Sequence, residues 1–305
     1  MGSRVVKTST RHTTSVRLLR RRYILLIAAL LSGAIVWLAG LVFTPAHTSA
    51  AVERMFVLNC GEARVSDISQ WSPGINVGLP MTFSNNCYLI QHGNDWMLWD
   101  MGVPDDWVGT PEGVVGSPGV RGIVNRTLVS QLDEIGVKPA DVTIIALSHA
   151  HFDHVGNTRL FPRAKWYVQK VEYKVMFGSE YKKFRFVPTL YSTLRNNPVV
   201  TLQGDHDIFG DGSVRILSTP GHTPGHQSLL VRLPQTGLVV LSGDVAHFEE
   251  NFVNRRVPRF NADAKQTRQS MNKVDAIVKN QSAQLWINHD LAQSASIPRA
   301  PKAVK

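Results

Sequence analysis

The stretch LSHAHFDHVGNT, residues 147–158, holds His149, His151, Asp153 and His154 within six positions. Imidazole and carboxylate at that density are the donors a divalent transition metal takes. Zinc accepts histidine nitrogen and carboxylate oxygen at ~2.0–2.2 Å. Three more candidates lie downstream: His222 in STPGHTPGHQS, Asp244 in VVLSGDVAHF and His289 in LWINHD. The set divides naturally. His149, His151 and His222 offer three neutral imidazoles to one ion. Asp153, His154 and His289 offer one carboxylate and two imidazoles to a second, and Asp244 can bridge the two. Three protein ligands per ion and a bridge leave room for a shared water, which marks a catalytic rather than a structural site. Two divalent ions so placed acidify that water to hydroxide at neutral pH. The expected cofactor is therefore two Zn2+ ions per chain. Isolated histidines are usually surface or core residues, but His-x-His-x-Asp-His with three matching partners is not that pattern. A non-enzymatic zinc-binding module is disfavoured by the open coordination.

Each candidate follows an apolar run. DVTIIAL at 141–147 precedes His149, and runs at 213–218, 237–242 and 283–288 precede His222, Asp244 and His289. Short β-branched runs of this kind read as strands. If the strands are neighbours their carboxyl ends converge, and a rigid strand end is what a metal site needs. Further strands are expected at 55–65, 87–100, 165–169, 199–203 and 226–233, with helices at 125–135 and 263–279. Residues 102–122, rich in Gly and Pro, read as a long loop. Residues 171–195 carry Tyr173, Phe177, Tyr181, Phe184, Phe186 and Tyr191, either a packing face or an apolar wall for a substrate. Strands then helix, twice over, imply an α/β (α+β) fold with two sheets inside and helices outside, a four-layer αββα sandwich.

Composition sets the remaining bounds. The formal charge is +10, but residues 1–50 hold seven basic and no acidic residues, leaving 26 basic against 23 acidic in 51–305. That near balance gives no case for a nucleic-acid partner. The basic segment RLLRRRY leads into an apolar run, 23–43, and then small residues at Ser49 and Ala50. This reads as an export signal or, given its length, an uncleaved membrane anchor. Arg20–Arg21 weakly resembles a twin-arginine signal. Either way the body is expected outside, periplasmic or extracellular, with residues 23–43 as a possible membrane tether. The division expected is residues 1–50 as signal or anchor, 51–295 as a hydrolase domain and 296–305 as a loose basic tail. Cys60 and Cys87 both lie in strand-like sequence and could be joined in an exported protein; the reading leans to two buried free thiols.

The motifs HAHFDH, TPGHTPGH, SGDVAHF and INHD, with Asp100 in LWDMG, resemble the signature of the metallo-β-lactamase superfamily. NCYLIQHGNDWMLWDMGVPD and Phe152 further resemble the N-acyl homoserine lactonases. The resemblance covers about residues 55–292. It implies the αββα fold, a dinuclear zinc site, a possible homodimer, and opening of a lactone ring by a hydroxide held between the ions. Asp153 would shuttle the proton to the leaving oxygen. Lactonases of this kind often carry a tyrosine three residues after the bridging aspartate; here it is His247, whose imidazole can also donate to the developing oxyanion. Asp100 is expected to orient a loop or a ligand histidine, Ser148 and Ser242 to buttress ligands, His226 to be structural, and Gly221, Pro224 and Gly225 to shape the His222 turn. Met81, Phe83 and the two long segments are candidate pocket walls. Other esters (arylesterase or phosphotriesterase chemistry) and β-lactams are the alternative substrates. Asp244 stands where β-lactam hydrolases typically have cysteine or no ligand.

Overall fold

The computed structural model describes residues 51–305. The expected signal or anchor over residues 1–50, with its apolar run at 23–43, lies outside the described residues. Among the described residues no helix is long and apolar enough to cross a membrane.

Eight strands form the first sheet: β1 (Val52–Val65), β2 (Met81–His92), β3 (Asp95–Trp99), β4 (Val114–Ser117), β5 (Val120–Ile123), β6 (Val142–Ala146), β7 (Lys165–Gln169) and β8 (Val199–Leu202). Five form the second: β9 (His206–Asp207), β10 (Val214–Ser218), β11 (Gln227–Leu233), β12 (Gly237–Leu241) and β13 (Gln284–Trp286). Their spatial orders are β4-β5-β1-β2-β3-β6-β7-β8 and β13-β12-β11-β10-β9. The period-2 alternation of strand side chains assigns the layers. On β2, Tyr88 and Ile90 face the same apolar cluster as Leu229 and Val231 of β11, so the two sheets meet there. Cys87 and Leu89 point the other way, toward the helix Leu128–Glu134 and the helix Lys170–Phe177. Leu230 and Val240 turn outward onto Met271 and Val274 of the helix Ala264–Gln281. Asp263 caps that helix by accepting from Gln266 N, as an N-cap aspartate should. The architecture is the four-layer αββα sandwich.

Three expectations are corrected. Residues 102–122 are not a plain loop. They contain β4 and the start of β5, a hairpin paired to β1 through Glu62–Val65. A Cβ on Gly116 would come within 2.3 Å of the Phe152 ring, so glycine is what lets the hairpin close over that side chain. Nor is the basic tail loose. Ala300 N donates to Val57 O, and Met55 and Val304 exchange backbone hydrogen bonds of 2.8 Å. The hairpin covers only the far end of β1, and the tail closes the rest of an edge that would otherwise present unpaired groups. Finally, Cys60 and Cys87 are not free thiols but form a disulfide between β1 and β2. A register shift in β1 between Asn59 and Glu62 accompanies this pairing, and spacing alone does not reveal it.

Candidate metal centre

The two sheets deliver their strand ends to one place. β6 runs out into His149 and His151, and the one-turn helix Phe152–Val155 that follows carries Asp153 and His154. His222 follows β10, Asp244 follows β12, and His289 follows β13. Asp100 comes directly after β3, in the left-handed region at φ 58. All seven candidate metal-binding side chains come together, as do both candidate catalytic residues, Asp153 and His247.

The division into two groups is visible in the distances. His149 Nε2 and His151 Nδ1 lie 2.8 Å apart, His151 Nδ1 and His222 Nε2 3.0 Å, and His149 Nε2 and His222 Nε2 3.2 Å. Asp153 Oδ2 stands 3.9 Å from His154 Nε2 and 3.7 Å from His289 Nε2. Asp244 spans the two. Its Oδ2 is 3.3 Å from His222 Nε2, whereas its Oδ1 is 3.3 Å from His154 Nε2 and 3.0 Å from His289 Nε2.

The outer nitrogens settle which atoms face inward. His149 Nδ1 meets Ser148 Oγ, His151 Nε2 the Phe184 carbonyl, and His154 Nδ1 the Asp100 carboxylate. His222 Nδ1 meets Asn261 Oδ1, and His289 Nδ1 the Ser84 carbonyl. Four of these partners are oxygens that only accept, so the outer nitrogens of His151, His154, His222 and His289 carry a proton, and the Ser148 hydroxyl can accept one from His149 in the same way; the inward nitrogens are then left to a metal. Three inward lone pairs within 3.2 Å of one another repel unless a cation lies between them. Donors on a tetrahedral zinc stand ~3.3–3.4 Å apart, close to what is seen. His154 Nε2 and Asp244 Oδ1 are buried with no hydrogen-bond partner, an arrangement that a metal ion between them would satisfy. The residues present fit a pair of divalent metals.

The electrostatics agree. Burial holds His149 and His222 well below the usual histidine range, and His151 down at about 4, so all three are neutral donors. Burial also opposes charge on His154, but Asp244, Asp100 and Asp153 outweigh it and raise that group well above its usual value. Despite burial, the surrounding histidines, His289 foremost, hold Asp244 well below the carboxylate range. The second group thus attracts positive charge, whether proton or metal.

The supporting residues behave largely as expected. Asp100 accepts from Ser148 N and holds His154. His226 accepts the Asp244 backbone N–H at 2.8 Å through Nε2 and is otherwise structural. Ser148 Oγ reaches both His149 and His154, while Ser242 Oγ instead ties Gly243 and the Asn288 backbone. Gly221 sits at φ 130 against Thr267, as its turn requires. The aromatic stretch is a packing face: Tyr173 and Phe177 pack on Trp166, and Tyr191 packs on Phe177. Only Arg185 of that stretch lines the cavity, together with Trp71, Phe83, Ser117, Val120, Phe152 and Phe260. Met81 lines a neighbouring groove instead. His247 borders the cavity with Nε2 3.1 Å from Asp244 Oδ2 and Nδ1 buried without a partner.

Glu172 escaped the sequence reading. It is buried, and its carboxylate accepts from Ala150 N, Thr223 Oγ1 and Gly225 N. It thereby clamps the His149–His151 loop to the His222 loop. Its one sequence signal is a charge sharing a helical face with Val175 and Met176. Burial pushes its pKa from 4.5 up to about 7. A folded-state value above the unfolded one means that the group's stabilisation is complete below 4.5 and lost as pH rises through about 7. Metal-free protein should therefore lose about 2 kcal/mol between pH 5.5 and 8 from this group alone. Glu172→Gln should remove that component, measured as the difference between denaturant midpoints at the two pH values. An unchanged difference would show that Glu172 is not the source.

Comparison with known proteins follows the same lines. Residues 81–277 match the family model of the metallo-beta-lactamase superfamily. The chain is similar to the N-acyl homoserine lactonase AiiA of Bacillus thuringiensis subsp. kurstaki, 29% identical over 83% of this chain and 99% of the relative. It is likewise similar to the N-acyl homoserine lactonase AttM of Azorhizobium caulinodans, 30% identical over 81% of this chain and 97% of the relative. Among solved structures, an N-acyl homoserine lactone hydrolase with N-hexanoyl-L-homoserine at its catalytic metal centre aligns at a TM-score of 0.72 and 26% identity, covering 83% of this chain and 100% of that one. The matched region takes in more than half of the chain and all but one of the convergent donors, so the protein belongs to the metallo-β-lactamase superfamily and is a hydrolase of it.

Proposed function

We propose that the protein binds two zinc ions at this centre and hydrolyses the lactone ring of N-acyl homoserine lactones or closely related lactones. The observation that carries the reading is Asp244, a single carboxylate with one oxygen facing each donor group. It lies in a cavity whose remaining walls are largely aromatic, suited to a small neutral ester. Bound there, the ions supply Lewis acidity and a water that is nucleophilic at neutral pH. The chain's own residues do the rest. Trp71, Phe83 and Phe260, packed against His247, His289 and His222, keep bulk water from the donors. Asp153 is the more open of the two carboxylates, its side chain 11% exposed against 4% for Asp244. It can take a proton from the attacking water and return it to the ring oxygen as that leaves. His247 is the imidazole on the cavity wall that can turn from Asp244 to the substrate carbonyl oxygen.

A hydrolysis panel on zinc-loaded protein tests this: short- and long-chain homoserine lactones, other lactones, an aryl ester, a phosphotriester and a β-lactam. Preference for the lactones is expected, and activity on the β-lactam alone would sink the proposal. The same reading places the body outside the cytoplasm, supported by the basic-then-apolar run in residues 1–50 and by the disulfide, a bond that oxidising compartments favour. Recovery of the native protein in the cytosolic fraction with reduced cysteines would count against export.

A further inference from the structure

Arg185 is the one cationic side chain on the cavity wall. It follows the turn Tyr181–Phe184 and sits at φ 58, in the left-handed region a non-glycine residue seldom occupies. Its own N–H bonds to the Lys182 carbonyl, and the preceding Phe184 carbonyl meets His151 Nε2 at 2.9 Å. The segment is therefore fastened to the metal centre itself, and the unusual backbone aims the next side chain over it. The guanidinium lies 4.5 Å from the centre of the Phe260 ring, and that ring is 6.0 Å from His222. Among the described residues Arg185 makes no ion pair and no side-chain hydrogen bond. A guanidinium held over an aromatic face by its carbon still has N–H groups to offer an acceptor. Apart from the centre, His247 and Arg185 itself, the cavity wall is aromatic, aliphatic or, at Ser117, a lone hydroxyl.

We propose that Arg185 is a specificity-determining residue that receives the carbonyl oxygen of an amide arm next to the lactone ring. The inference rests on the lactonase reading and sharpens it. With the ester carbonyl at the metal centre, a substituent on the adjacent ring carbon extends along the wall. An amide there offers an oxygen acceptor close to the ring, whereas an alkyl arm offers none and leaves the guanidinium to water. Arg185 is exposed, so water serves the guanidinium when no amide is bound, and selection rests on one charge-assisted hydrogen bond that only the amide-bearing substrate makes.

The test compares N-hexanoyl homoserine lactone with α-hexyl-γ-butyrolactone, which has a similar chain but no amide, on zinc-loaded wild type, Arg185→Lys and Arg185→Ala. Wild type should favour the amide in kcat/KM by roughly 10- to 100-fold. In Arg185→Ala that ratio should fall by about tenfold or more, to the level set by the two lactones' own reactivity toward hydroxide, and Arg185→Lys should keep part of it, with metal content equal in all three. A wild-type ratio near one, or a ratio that survives Arg185→Ala, overturns the proposal. A merely structural role would lower both activities together and leave the ratio intact, which also overturns it. Wild type that opens neither lactone defeats the underlying lactonase reading instead, a result distinct from either of these.

Discussion

Asp244→Asn should lower kcat/KM on the order of 10³-fold or more and leave the protein with at most one tightly held metal. The argument is geometric. Oδ1 stands 3.0 Å from His289 Nε2 and 3.3 Å from His154 Nε2, while Oδ2 stands 3.3 Å from His222 Nε2 and 3.7 Å from His149 Nε2. Asparagine keeps the shape but turns one oxygen into an amide that only donates. Whichever way the amide turns, one donor group loses its shared ligand and meets an N–H instead. The backbone should hold, because Asp244 N still donates to His226 Nε2. Metal analysis beside steady-state kinetics checks the outcome. Full metal occupancy with wild-type turnover would remove Asp244 from the bridging position.

Residues whose chemistry cannot be replaced were the readable ones. A metal donor must be His, Asp, Glu or Cys, so His149, His151, Asp153, His154, His222, Asp244 and His289 stand out in any register, and the apolar runs before them announce strand ends. The layers were readable from the order of the elements, strands then a helix twice over, with β11 and β12 as near-continuous apolar runs buried on both faces. What could not be read depends on neighbours distant in sequence. The β4–β5 hairpin is short and glycine-rich because Phe152 lies under it, and glycine in sequence looks like loop. The Cys60–Cys87 bond depends on a register shift inside β1. The tail has no pattern of its own and is ordered by the free edge of β1. Glu172 and Arg185 look like ordinary surface charges until the loops that Glu172 clamps, and the ring under Arg185, are in place.

Asp153→Asn should separate metal binding from turnover, which Asp244→Asn does not. His154 and His289 remain, and both keep their outer partners at Asp100 and the Ser84 carbonyl. Asp244 Oδ1 still faces them. The second group therefore keeps two imidazoles and a carboxylate, enough to retain part of its metal. What the variant loses is a base facing the cavity. The Asp153 backbone is held by Asn85, whose Nδ2 donates to the Asp153 carbonyl at 2.6 Å, so asparagine should sit where aspartate sat. An amide there neither accepts the proton of the attacking water nor returns it to the leaving oxygen. A positioned acid–base group is typically worth ~10²–10⁴-fold, and a loss confined to the chemical step falls on kcat with KM nearly unchanged. The comparison should be made at matched metal content, after reconstitution with excess zinc. A kcat that returns to wild type once the metal is restored would make Asp153 a ligand alone, and the proton would have to travel through another group on the cavity wall. His247 would then be the first to examine, because its Nε2 already lies 3.1 Å from the carboxylate that joins the two donor groups.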